Sequence, residues 1–149
     1  DNVYPNGKGH TIHLHFVLPK ANWNRKIDLE VGKSFSFSNI RFLPNSNIFQ
    51  EGSNYSLDSL LAIMNANPSL KIELQGHINA PGIQFIANWQ QQLSEDRAKA
   101  VYRFLVENKI DSSRMEYKGY GNSCMIYPNA RNMYEEQQNM RVEIKILSK

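Results

Sequence analysis

Between Gly76 and Val101 the chain reads GHINAPGIQFIANWQQQLSEDRAKAV, and this stretch constrains the fold more than any other. Immediately before it, Leu70, Ile72 and Leu74 alternate with Lys71, Glu73 and Gln75. That is the period-two pattern of a strand with one buried face. Beyond it, Val101, Phe104 and Leu105 recur at helical spacing after Ser94, which predicts an amphipathic helix. Ser94 suits its N-cap, with Glu95 and Asp96 in a first turn where negative charge complements the helix dipole. Pro81 and Gly82 force the intervening loop to turn. The result is a strand, loop and helix that bring Asn79 of the loop and Arg97 of the helix toward one helix terminus. A cation so close to a helix start is electrostatically unfavourable, which marks Arg97 as a partnered or functional group.

The rest of the chain falls into the same kinds of element. Leu57, Leu60, Leu61 and Met64 predict a helix after Ser56, and Val142, Ile144 and Ile146 alternate with Glu143 and Lys145 as a half-buried strand. A first strand is expected over Phe35 to Phe42, where the alternation switches from Phe35/Phe37 to Ile40/Phe42 and predicts a bulge near Asn39. A third runs from Arg114 to Lys118, giving the order β-α-β-α-β-β and an α+β fold. The Asn-, Gly- and Pro-rich stretch from Tyr120 to Tyr134 is expected to be a loop that includes a short helix. Upstream, Ile12, Leu14, Phe16 and Leu18 alternate, as do Ile27, Leu29 and Val31, predicting two short strands around a turn at Pro19 to Lys26. Two strands cannot hold a core alone. Residues 1–33 therefore read as an N-terminal extension or the tail of a preceding β-rich domain, and residues 34–149 as the main domain.

Composition excludes several function classes. The chain has 149 residues, 41% of them hydrophobic and 21% charged, which suits one domain with an extension. No apolar run approaches the roughly 18 residues of a membrane-spanning helix. Cys124 is the single cysteine, so no internal disulfide forms. His10, His13 and His15 form a HxxHxH cluster, yet no cysteine or nearby carboxylate completes a zinc set, and a solvated strand face is the better reading. Lys118-Gly119-Tyr120-Gly121 resembles the start of an RNA-recognition strand, but it lacks the following stacking aromatic and comes after both helices, which argues against nucleic acid. Its glycines read as a turn needing positive φ. The acidic pairs Glu95-Asp96 and Glu135-Glu136 are a dipole match and a solvated run, and no nucleophile sits beside a base, so the expected function is binding without catalysis or cofactor.

Five separated pieces, in order, carry a family resemblance. They are Gly76-His77, Gly82, Leu93-Ser94-x-x-Arg97-Ala98-x-Ala100-Val101, Gly119-Tyr120-Gly121, and Asn139-Met140-Arg141-Val142-Glu143-Ile144. Together they resemble the C-terminal-like domain of outer-membrane protein A (OmpA), a family that includes peptidoglycan-associated lipoprotein and the flagellar stator protein. The resemblance implies a two-layer fold, with helices packed on one mixed sheet, that binds the peptidoglycan stem peptide non-covalently. It implies an aspartate holding the ammonium of diaminopimelate and a helix arginine holding its carboxylate.

The arginine carries over onto Arg97. The aspartate does not, because the family's GHTD reads Gly76-His77-Ile78-Asn79 and its Phe-Asp reads Phe42-Leu43. The expected ligand set is Arg97 as carboxylate clamp, Asn79 and the backbone amides of the 78 to 82 loop, including Ile78 and Gly82, with Asn88 as the loop asparagine and Asn139 and Arg141 supporting the pocket. The first arginine of the family's closing motif reads Met140. The implied location is the periplasm, attached to the outer membrane through another part of the parent protein, with other envelope proteins as further partners. The missing aspartate supports a rival reading, a structural or protein-interaction module that has lost diaminopimelate.

Overall fold

The computed structural model describes residues 2–3, 10–14, 29–37 and 39–149, the first two stretches by their backbone pairing alone. Strands β1 (Asn2–Val3), β2 (His10–Leu14), β3 (Ser34–Phe37), β4 (Lys71–Gly76), β5 (Met115–Gly119) and β6 (Val142–Ser148) form one mixed sheet in the order β1-β2-β3-β6-β4-β5. Antiparallel β6 lies between β3 and β4, while β4 and β5 run parallel. Helix α1 (Ser53–Ala66) joins β3 to β4, α2 (Asn88–Glu107) joins β4 to β5, and the short α3 (Met133–Asn139) precedes β6. From β3 onward the order β-α-β-α-β-β and the α+β class are as the periodicities predict, and the two-layer packing is as the family resemblance implies. Phe16, Leu18, the Pro19 to Lys26 turn, Ile27 and His15 lie outside the described residues.

The core forms where the helix stripes meet the sheet. Leu57, Leu60 and Met64 of α1 and Ala98, Val101 and Leu105 of α2 bury against Ile72, Leu74, Ile144 and Ile146. At the C-terminal end of α1 the last carbonyls have no partners within the helix. Arg114 supplies them, its guanidinium donating to Met64 O at 2.8 Å and Asn67 O at 2.7 Å.

Four expectations need correction, one being the strand through Leu29 and Val31, since Leu29 lies in no strand and Val31 is exposed in a turn. The first strand ends at Phe37, and Ile40 N–H donates to Phe37 O at 3.2 Å. The switched alternation near Asn39 therefore marks a turn that drops Ile40 into the core, and the register shift lies between Lys71 and Ile72. Helix α2 begins at Asn88, with Gln90 Oε1 accepting from Ala87 N–H at 3.0 Å. Ser94 is thus a buried residue of the second turn, and its hydroxyl donates to Gln91 O at 2.7 Å. Finally, Gly119 ends β5, and of the two glycines it is Gly121 that takes a positive φ, of 54°.

The glycines have a packing role instead. A Cβ on Gly76 would lie 1.7 Å from the Ser94 carbonyl oxygen, and one on Gly119 would lie 2.5 Å from Ser94 Oγ. Helix α2 therefore rests its backbone directly on the ends of β4 and β5.

On the sheet face away from the helices, strand residues expected to meet solvent are buried. Glu143 is 4% exposed and accepts from Arg141 Nε at 2.7 Å. Tyr120 donates to Glu73 Oε1 at 2.7 Å, and burial together with that carboxylate pushes its pKa up to about 12. The His77 ring, 1% exposed, stacks on Tyr120 with centroids 5.6 Å apart. Neither of its nitrogens finds a partner among the described residues. Burial, and then the nearby Arg141 charge, hold its pKa well below the usual 6.5.

Two outcomes follow for folding. Gly76→Ala should cost about 1 to 3 kcal/mol or more, because the blocking atom is helix backbone and not a flexible side chain; Leu60→Ala and Leu105→Ala should each cost about 2 to 5 kcal/mol in urea unfolding. The second outcome concerns pH. A buried neutral His77 leaves the unfolded chain binding more protons below its ordinary pKa, so stability is complete above 6.5 and falls as pH is lowered. Between about pH 7 and pH 5 the loss should approach about 1.4 kcal/mol per unit at its steepest, and His77→Gln should flatten it. An unchanged slope in that variant would assign the loss to other groups.

Candidate functional site

The chain between β3 and α1 makes the first wall of a cavity. Phe42 bridges Phe49 across a narrow excursion, their rings stacked at 5.1 Å, and Leu43 N–H donates to Ile48 O at 2.9 Å. Asn45, at φ 49°, supplies its left-handed turn, a conformation asparagine tolerates better than most residues. Ser53 anchors the base, accepting from Arg41 N–H at 3.1 Å and donating to Arg41 O at 3.0 Å.

Opposite this excursion stand Ile78 and Asn79 after β4, the early turns of α2, and the α3–β6 junction at Gln137 and Met140. Together they enclose about 390 Å³. The aromatic and aliphatic walls include Phe42, Leu43, Trp89, Leu93 and Met140, and among the described residues the charged groups in the lining are Arg41 and Arg97, with no carboxylate.

Arg97 reaches the cavity from the third turn of α2, as a consequence of where Ser94 seats the helix. It is 4% exposed, its Nε donates to Ser46 O at 3.0 Å, and its Cζ lies 5.2 Å from the centroid of Phe42. These contacts hold the guanidinium plane and tie the excursion to α2, while the two terminal nitrogens have no bonded partner among the described residues. Burial lowers its pKa from the usual arginine value, the direction expected of a desolvated cation without an anion beside it. Arginine remains charged at neutral pH nonetheless.

Asn79 sits at the same cavity under an unusual constraint. Asn139, fully buried, accepts from Tyr127 N–H at 2.9 Å through Oδ1, and its Nδ2 donates to Tyr127 O at 2.8 Å and to Asn79 Oδ1 at 2.8 Å. Arg141 reinforces this corner from behind, donating to Glu143, to Asn139 O at 3.3 Å and to Cys124 O at 2.9 Å. Neither Asn139 nor Arg141 lines the cavity. Both hold the Tyr120 to Tyr134 loop and the α3–β6 junction in place.

The remaining expected residues lie differently. Ile78 contributes its side chain to the lining, since its N–H is occupied by Gly121 O at 3.0 Å. Gly82, at φ 73°, serves an exposed turn outside the lining. Asn88 is an exposed first residue of α2, also outside it, and the cavity is met instead by its neighbours Trp89 and Gln90. Sequence reasoning missed Trp89 because the helix was expected to start seven residues later, with Ser94 and not Ala87 as its N-cap. It missed the Phe42 wall because Phe42 was expected to end the first strand and Leu43 drew notice only as a departure from a motif.

The same fold is found in proteins of known structure. The peptidoglycan-associated lipoprotein of Burkholderia pseudomallei superposes with a TM-score of 0.62 at 20% identity, covering 72% of this chain and 87% of that one. The periplasmic domain of Helicobacter pylori MotB gives 0.62 at 20% identity over 76% of this chain and 73% of that one. An outer membrane protein of Borrelia burgdorferi B31 gives 0.57 at 27% identity, over 77% and 87%. In sequence, the chain is 34% identical over 96 residues to the photosystem I P700 chlorophyll a apoprotein A2 of Gloeobacter violaceus, a match that spans 61% of this chain and 11% of that protein's length. A family model described as the OmpA family matches residues 41–139, well over half of the sequence, and this chain belongs to that family.

Proposed function

We propose that this domain binds the peptidoglycan stem peptide non-covalently and so ties the protein that carries it to the cell wall, in the periplasm beside the outer membrane. The observation that carries this reading is Arg97, a nearly buried guanidinium fixed by Ser46 O and Phe42 that lines a cavity with no carboxylate among the described residues. Such a group is a ready partner for a ligand carboxylate, which it can grip with two parallel hydrogen bonds. Relatives of the same fold agree with the setting, one of them named for its association with peptidoglycan and another described as a periplasmic domain.

The lining also supports binding over catalysis. Among the described residues it holds no serine, cysteine, histidine or carboxylate that could serve as nucleophile or general base. A second reading, a module that docks another envelope protein, draws on Ile83, Phe85 and Trp89, which are 47%, 83% and 58% exposed around the start of α2. The two readings separate on isolated sacculi.

Arg97→Lys keeps the charge but loses the planar fork, so sacculus co-sedimentation should weaken by about 1.5 to 3 kcal/mol, the range for a charged hydrogen bond. Circular dichroism should show the fold retained. Equal co-sedimentation of wild type and variant would remove the clamp and favour the protein-docking reading.

A further inference from the structure

Backbone amides fix which way the cavity's carboxamides point. A backbone N–H can only donate, so the Tyr127 N–H requires Asn139 Oδ1 to face it. Asn139 Nδ2 must then face Asn79, whose Oδ1 accepts it and whose Nδ2 is left for the cavity. The same logic holds at Gln90, where the Ala87 N–H claims Oε1 and leaves Nε2 as the free end. Two carboxamides are thereby oriented as donors toward a cavity whose described lining holds the Arg97 guanidinium and no carboxylate.

A free ammonium would be poorly served in such a place. It needs acceptors, preferably charged ones, whereas the described lining offers neutral carboxamides such as Gln50 and Gln137, beside the Arg97 guanidinium and in partly apolar surroundings. An acylated amine reverses every one of these terms, because its amide carbonyl accepts from Asn79 Nδ2, it carries no charge, and its acyl chain suits walls such as Leu43, Trp89 and Met140. Resting on the peptidoglycan reading above, we infer that this cavity selects a diamino acid whose carboxylate meets Arg97 and whose side-chain amine is already acylated, as at a cross-link between stem peptides, over one with a free amine.

The test uses the full chain and two synthetic tripeptides ending in diaminopimelate, identical except that the side-chain amine is free in one and acetylated in the other. Calorimetry should give about five-fold or tighter binding of the acetylated peptide, equivalent to one hydrogen bond gained and one charge clash removed. Arg97→Lys should weaken both. Asn79→Asp keeps one oxygen for Asn139 Nδ2 and turns the other toward the cavity, so it should leave the fold intact and shift the preference toward the free amine. If wild type binds the free-amine peptide equally or more tightly, the selectivity is wrong while the peptidoglycan reading stands. Unchanged acetyl preference in Asn79→Asp would overturn the role given to Asn79. If neither peptide binds, both readings fall together.

Discussion

One close contact sets the position of nearly everything else. The Ser94 carbonyl occupies the space where any side chain on Gly76 would begin, and Ser94 Oγ does the same at Gly119 while accepting from Gly121 N–H at 3.1 Å. Helix α2 is thereby seated backbone-to-backbone on the ends of two parallel strands, a fit that only glycine permits. Arg97 follows Ser94 by three residues, so the same contact that docks the helix aims the guanidinium. A helix held further off would carry Arg97 away from Ser46 O and Phe42 and open the cavity to solvent.

Behind the cavity, polar groups are used to hold irregular backbone that hydrophobic burial cannot define. Asn139 satisfies both backbone groups of Tyr127, and Arg141 distributes its donors over Glu143 and three carbonyls. A buried ion pair of this kind contributes modestly to net stability but strongly penalises any arrangement that leaves a partner alone. Its effect is to specify one path for the Tyr120 to Tyr134 loop, and through Asn79 to specify the polarity of the binding surface. The positioning of the loop and the proposed ligand preference both depend on one hydrogen-bond chain.

What could be read from sequence follows periodicity closely. Leu70/Ile72/Leu74 and Val142/Ile144/Ile146 alternate without interruption, and their strands lie close to the expected positions. Helix α1 and the later turns of α2 were equally legible from Leu57, Leu60, Val101 and Leu105. The errors arose where a local rule had two physical solutions. Ser94 before Glu95 and Asp96 matches an N-cap, yet the serine is needed inside the helix for its small size against Gly76 and Gly119. The switch after Phe37 matches a bulge, yet a turn reaches the same burial of Ile40. The cavity was half legible: Arg97 and Asn79 stood out, while Phe42, Trp89 and Gln90 come together through tertiary contacts that no spacing rule records. The direction of the Asn79 amide depends on Tyr127 and Asn139, 48 and 60 residues away in the chain, and is beyond the reach of any local pattern.

The central claim is that the Arg97 guanidinium is the group that meets the ligand. Side-chain NMR of the arginines, followed during titration with soluble stem peptide, observes that group directly. The Arg97 terminal nitrogens should move to hydrogen-bonded shifts and exchange more slowly as peptide is added, while those of Arg114, bonded to carbonyls, and of Arg141, bonded to Glu143 and carbonyls, stay where they are. Saturable binding with the Arg97 signals unmoved would contradict it.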